Sequence, residues 1–230
     1  MPATTGPDEA RLGWWQCRAV AADGTPAWLA VVWSERHPDG ARVELAIDAA
    51  TAAVGADAVA VATYAGPNVA FLTVSERGAR GAPPLWFGEV PETTAAPPAV
   101  NLMVFTGLRA APGALLDGPA MRTAGATTAN QVGAVRWYPA TGEVDQIYVQ
   151  PAWRRHHVAG ALIAAAAALS YARDWPRLWS DGQRTELGER LRNASPWRTR
   201  TADLTHLAPP MTPDESGGEG PPSEGARRQP

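Results

Sequence analysis

One segment restricts the fold more than any other: from Val158 the chain reads VAGALIAAAAALSYARDW before Pro176. Val158, Leu162, Ile163, Leu169 and Ala172 recur with helical spacing on an alanine-rich background that favours helix, and proline ends the run. Everything before it has the shorter, alternating rhythm of strands. Any fold must therefore place one apolar helix against a strand-rich body, a mixed α/β class.

The strands follow from composition and turn chemistry. WWQCRAVAA, AWLAVVWSE and ARVELAIDA are strand-like and separated by DGTP and HPDG, which suggests an antiparallel meander. ADAVAVATYA, NVAFLTVSE and PPLWFGEV continue in the same way. PETTAAPPA is the best internal boundary, so a strand-rich amino-terminal region is expected over 13–91 and a second region over 100–207. In the second, NLMVFTGL reads as a strand, 110–130 as irregular, and GAVRWYPATGEVDQIYV as a hairpin turning at PATGE. RLWS is a short strand, and TELGERLRN a helix capped by Thr185 or an earlier polar residue.

Residues 1–12 and the Pro-, Gly-, Ser- and Glu-rich tail 208–230 are expected to be disordered, because such compositions bury too little to offset ordering entropy.

With 230 residues, 45% of them hydrophobic, the chain can build a substantial core. A formal charge of −3 offers no basic field for nucleic acid, so no nucleic-acid partner is expected. Every basic side chain other than histidine is arginine, which removes Schiff-base and P-loop lysine chemistry. Cys17 is the single cysteine, so no intrachain disulfide forms; together with an amino terminus lacking a basic and apolar leader, this suggests a cytoplasmic protein. The longest apolar run, 161–169, is too short to cross a bilayer, so no membrane partner is expected. No metal site is expected, since His156 and His157 are adjacent and do not converge on one ion.

The segment that carries chemistry precedes the helix. A strand ending at YVQP passes through AWRRHH into the helix, which sets unpaired backbone N–H groups at the positive end of a helix dipole. Such an end favours phosphate, and the forked donors of Arg154 and Arg155 suit phosphate oxygens. Glu143 and Asp145, two apart on the strand, leave the same face and are candidates to take a proton from an amine.

IYVQPAWRRHHVAGALIAAA resembles the acetyl-CoA-binding motif of the GNAT superfamily of N-acetyltransferases. The resemblance covers roughly 133–192 and implies that the backbone around Arg154, Arg155, His156, His157, Val158, Ala159 and Gly160 holds the cofactor diphosphate. It implies that the edge at Ile147, Tyr148 and Val149 pairs with the pantetheine arm, and that an acid on this strand, Glu143 by position, is the general base. His157 stands where the family has its central glycine; a negative φ accommodates histidine there, whereas a positive φ favours glycine. The family's tyrosine acid has no counterpart after Tyr171, which leaves Ser180 as the candidate donor to the leaving thiolate. Trp153, just before the arginine pair, is expected to pack under the turn.

Two functional readings follow. In the first, the chain is an acetyl-CoA-dependent N-acyltransferase acting on a small-molecule or protein amine. In the second, it is a catalytically inactive GNAT-like module that binds a protein partner through the tryptophans of its amino-terminal half, among them Trp14, Trp15, Trp28, Trp33 and Trp86, most of which should nevertheless be core residues.

Overall fold

The structure is a computed structural model that describes residues 12–107, 109–194 and 201–207. Of the two terminal stretches expected to be disordered, only Leu12 falls among them. The fold is mixed α/β, with two five-stranded sheets and four helices among the described residues.

The first sheet contains β1 (Gly13–Val20), β2 (Pro26–Ser34), β3 (Arg42–Ala46), β4 (Ala58–Ala65) and β5 (Asn68–Val74) in the order β3-β1-β2-β4-β5. The second contains β6 (Trp86–Glu92), β7 (Ala99–Phe105), β8 (Leu115–Leu116), β9 (Gln131–Tyr138) and β10 (Glu143–Val149) in the order β10-β9-β7-β6-β8. The two are linked: Phe71 bridges Ala114, the Leu72 N–H donates to the Gly113 carbonyl at 2.7 Å, and the Phe87 N–H donates to the Ala114 carbonyl at 2.8 Å.

The anticipated meander ends after two strands. β1 and β2 are antiparallel, but β3 crosses back to lie parallel to β1, and its continuation IDAATAAV winds into α1 (Ile47–Val54). Alanine-rich composition and the need to cover Trp15, Cys17, Ala19, Ala30 and Val32 on one face of the sheet favour helix here, with Ala50 and Val54 packed against that face.

The segment expected to be irregular, 110–130, contains β8 and α2 (Gly118–Thr123), whose start is capped by Asp117 accepting from the Ala120 N–H at 2.8 Å. Residues 93–98, within the expected inter-region break, are the turn of the β6–β7 hairpin, and residues on both sides of it enter one hydrophobic cluster.

At the centre of that cluster lies α3 (Val158–Ala172). Twelve of its 15 residues are buried, including Ala164 to Ala168, so the helix is covered nearly all round and not along one stripe. Leu29, Val31, Ala60 and Leu72 approach from the first sheet, and Leu102, Val104, Val135 and Trp137 from the second. The approach is close: a Cβ added to Gly133 of β9 would lie 3.1 Å from Leu162 Cδ1 and 3.2 Å from Val158 Cγ1. Alanine is the side chain that permits this spacing on both sides without giving up helix propensity.

After α3 the chain returns beside β10, tethered by ion pairs from Arg18 to Asp174 at 3.0 Å and from Arg177 to Asp39 at 2.7 Å. The RLWS strand is reduced to two bridges, Trp179 with Glu143 and Ser180 with Thr201, both parallel. Gly142 at φ 76° is required there, since a Cβ would fall on the Arg177 carbonyl. α4 (Glu186–Ala194) follows, with the Thr185 hydroxyl accepting from the Gly188 N–H at 3.1 Å, the cap anticipated from the sequence. No helix among the described residues is long and apolar enough to cross a membrane.

Overfilling the alanine layer is expected to cost more than ordinary surface substitution. Ala166→Leu should lower unfolding stability by about 1–3 kcal/mol through forced rotamers and sheet displacement, measured as a fall in the urea midpoint; an unchanged midpoint would contradict the packing described.

Candidate functional site

β10 leads into a turn that ends on the first residue of α3. The Gln150 N–H donates to the Val132 carbonyl at 3.0 Å, a short 3-10 turn covers Pro151–Trp153, and the first α-helical bond runs from the Ala161 N–H to the His157 carbonyl at 3.0 Å. The backbone N–H groups of residues 155–160, which begin in the turn at 154–157, make no well-formed backbone hydrogen bond among the described residues. They form a row of donors at the positive end of the helix dipole.

Arg154, Arg155, His156 and His157 are exposed around it, while Trp153 packs on the core and meets the His156 ring edge-on at 5.8 Å. His157 adopts φ 58° and Arg155 φ 67°. The left-handed conformation that favours glycine is therefore present at His157, and histidine is among the types that tolerate it when the side chain is free of the backbone. Val158 contributes its amide alone, because its side chain is core, and Gly160 faces the connection that follows β5, where an added Cβ would sit 3.6 Å from the Gly78 carbonyl.

β10 is an edge strand of its sheet. The bond from Gln150 to Val132 sets the alternation, so Tyr148 exchanges hydrogen bonds with β9, whereas Ile147 and Val149 direct their N–H and C=O groups to the open edge. The Val149 carbonyl also accepts from Arg154 Nε at 3.4 Å. Of the three edge residues anticipated from the sequence, Ile147 and Val149 can pair with an extended ligand, and Tyr148 presents its side chain instead.

A register shift between Val144 and Gln146 breaks the strand's alternation. Val144 packs on the core, and Ile147, three residues on, does so again; without the bulge Ile147 would face outward. Glu143, paired with Tyr138, and Asp145 therefore both lie on the sheet face turned away from α3.

Asp145 is not a free base. Arg136 Nη1 donates to it at 2.5 Å and the Tyr138 hydroxyl donates to it at 2.9 Å, while the same guanidinium donates to Glu92 at 2.9 Å and packs over the Tyr138 ring at 5.3 Å. Hydrogen bonds from Arg136 and then from Asn101 hold the Glu92 carboxyl below its ordinary range, and Glu92, followed by Asp145, raises the Arg136 guanidinium. The Glu143 carboxylate has no hydrogen bond or ion pair among the described residues.

Trp179 runs beside Glu143: the Val144 N–H donates to the Trp179 carbonyl at 2.8 Å and the Trp179 N–H to the Gly142 carbonyl at 3.0 Å. Leu178 is core, so Trp179 shares the outward face with Glu143, and by alternation Ser180 turns to the other. The Ser180 hydroxyl donates to the Asp181 carbonyl at 3.2 Å. Ser180 is thus close to Glu143 along the chain pairing but approaches from the opposite side.

Arg136, Tyr138, Glu92 and Trp179 did not emerge from the sequence as site residues. The PATG turn carries the signal for two of them, because a four-residue connection sets Tyr138 opposite Glu143 and Arg136 one outward position behind. Trp179 carries no local signal.

Of the amino-terminal tryptophans, Trp14, Trp15 and Trp86 are buried, and Trp28 and Trp33 half-buried. Among the described residues no group of three His, Cys, Asp or Glu side chains is placed to hold a metal ion. No protein-family model matches the chain, and neither the curated proteins nor the solved structures yielded a significant match.

The Arg136 pairing has a measurable signature. Because the folded Glu92 carboxyl titrates below its ordinary range, the stabilisation is fully present above that range and is lost as the pH falls through the lowered value. Arg136→Gln should raise the Glu92 carboxyl titration midpoint in an NMR pH series towards its ordinary range, the Asn101 hydrogen bond keeping part of the shift, and reduce this part of the acid dependence of stability; an unmoved midpoint would assign the shift to another cause.

Proposed function

We propose that the chain is an acetyl-CoA-dependent N-acyltransferase acting on an amine. The observation that carries this reading is the unit formed by β10, the 150–157 turn, α3 and the returning Trp179: a parallel strand pair that meets at Glu143, is open from Ile147 onward, and has a row of unpartnered amides at its mouth. An elongated ligand with a diphosphate at one end and a reactive group at the other fits that arrangement. The distance from Glu143 to Val149 along the strand, six steps of about 3.3 Å, is of the right order for an extended arm.

The residues present suit such a group. The 155–160 amides and the arginines at 154 and 155 hold a diphosphate through backbone and charge. The edge groups of Ile147 and Val149 pair with amides of the arm. His157 in the left-handed conformation keeps the turn in the shape that glycine would give it, with its side chain exposed. When bound, acetyl-CoA supplies a thioester whose acyl group the amine nitrogen takes as the carbon–sulfur bond breaks.

Glu143, unpaired and beside the meeting point of the two strands, accepts the proton that the amine loses. Asp145 orients its surroundings through Arg136 and Tyr138. Ser180, whose hydroxyl donates to the Asp181 carbonyl on the α3 side of the strand pair, is the candidate to return a proton to sulfur.

Thermal unfolding with acetyl-CoA, with free coenzyme A and with neither tests the cofactor. Saturating ligand at a hundredfold excess over its dissociation constant stabilises by about 2.7 kcal/mol, a rise of roughly 5–10 °C for a chain of this size; no rise with either compound would overturn the reading. His157→Gly should leave this rise intact or enlarge it, since glycine adopts the same backbone without strain. Glu143→Gln should lower kcat about 10²- to 10⁴-fold with an unchanged cofactor-induced shift, and equal turnover would remove Glu143 from the chemistry.

A further inference from the structure

The outward face of the β9–β10 hairpin and the returning strand has a chemistry of its own. Tyr138, Glu143 and Trp179 are direct neighbours across three strands, the first two as antiparallel partners and the last two as parallel partners. Partners in register project from the same side, so a carboxylate stands between two aromatic side chains. Among the described residues it is the one carboxylate of the immediate group without a hydrogen bond or ion pair, since Glu92 and Asp145 are both engaged by Arg136.

Trp179 is also unusual among the tryptophans. It is 42% exposed, whereas the four largest-buried members of its class show 3% or less, and no ring or guanidinium among the described residues stacks on it. Its indole Nε1 donates to the Thr141 carbonyl at 3.1 Å, which fastens the ring to the hairpin turn and keeps its orientation defined beside Glu143. An aromatic ring held open to solvent next to an unpaired carboxylate is the recognition chemistry of a compact cation: ring quadrupole and negative charge act together. The nearby guanidinium does not oppose this, because Arg136 is shared between two carboxylates and the surrounding face is net negative.

We infer that Trp179 and Glu143, walled on the far side by Tyr138, form the recognition site for a cationic amine. This deepens the acyltransferase reading by giving the acceptor's class: an ammonium compound small enough to lie between Trp179 and Glu143, in preference to a neutral or anionic acceptor. Trp179 is a specificity residue here, and the amine held on its ring is delivered at the carboxylate that takes its proton.

The test uses tetramethylammonium, which binds through charge and shape without being acylated. The full chain is titrated with it at constant ionic strength and followed by the indole N–H resonances, the Trp179 signal being identified as the one missing in Trp179→Phe. That signal is expected to move saturably with millimolar probe, and not with neopentyl alcohol, an uncharged compound of similar shape. Glu143→Gln should weaken the apparent affinity about two- to fivefold, and Trp179→Leu by a similar factor as read from the probe's own resonance. An immobile Trp179 signal, or equal movement with the alcohol, overturns the inference. The outcome is separable from that of the acetyl-CoA experiment: cation binding without a cofactor-induced rise in unfolding temperature removes the acyltransferase reading alone, and a rise without cation binding removes this one alone.

Discussion

The close approach of two sheets to a single alanine-rich helix governs the rest of the molecule. α3 is buried from both sides, and five consecutive alanines make that possible by keeping side-chain volume small where both sheets press in. Leu162 and Leu169, buried completely, each contribute about 2 kcal/mol of apolar burial and fix the rotation of the helix. Because α3 cannot shift without breaking these contacts, its amino-terminal end is held rigidly at the mouth of the β10 edge. The row of unpartnered amides at residues 155–160 is a consequence of where the core places that end.

The same packing decides which surface is left for chemistry. Val144, Ile147 and Val149 are drawn to the core, and the bulge between the first two turns Asp145 and Gln146 outward. The outward face then collects Glu92, Arg136, Tyr138, Glu143 and Asp145, and the electrostatics sort them: one guanidinium satisfies two carboxylates and leaves Glu143 available. Glu143, without a hydrogen bond or ion pair among the described residues, and the exposed ring of Trp179 are thereby both left open to a ligand.

Most of the amino-terminal tryptophans are packing residues, as the sequence reading expected, with Trp28 and Trp33 half-buried. Trp14 stacks on Trp33 at 5.6 Å, and Trp15 donates to the Ser34 hydroxyl at 2.9 Å. These rings serve the interior of the first sheet and its ends.

The amino-acid sequence by itself determined what depends on neighbours a few residues away. The β9–β10 hairpin, the start of α3 at Val158 and its end before Pro176, the Thr185 cap and the strand character of WWQCRAV and AWLAVVW were legible, because turn residues, caps and apolar periodicity act locally. The partner of each strand was not. β3 lies parallel to β1 with α1 packed on the same face, Ala114 just before β8 ties one sheet to the other, and Trp179 returns to Glu143 across 36 positions, pairings chosen by competition for burial. The sign of φ at His157 belongs to the same class, since the turn must join a strand and a helix whose positions the core has already set. Local propensity settles which conformations a segment can take, and only the shared core settles which of them meet.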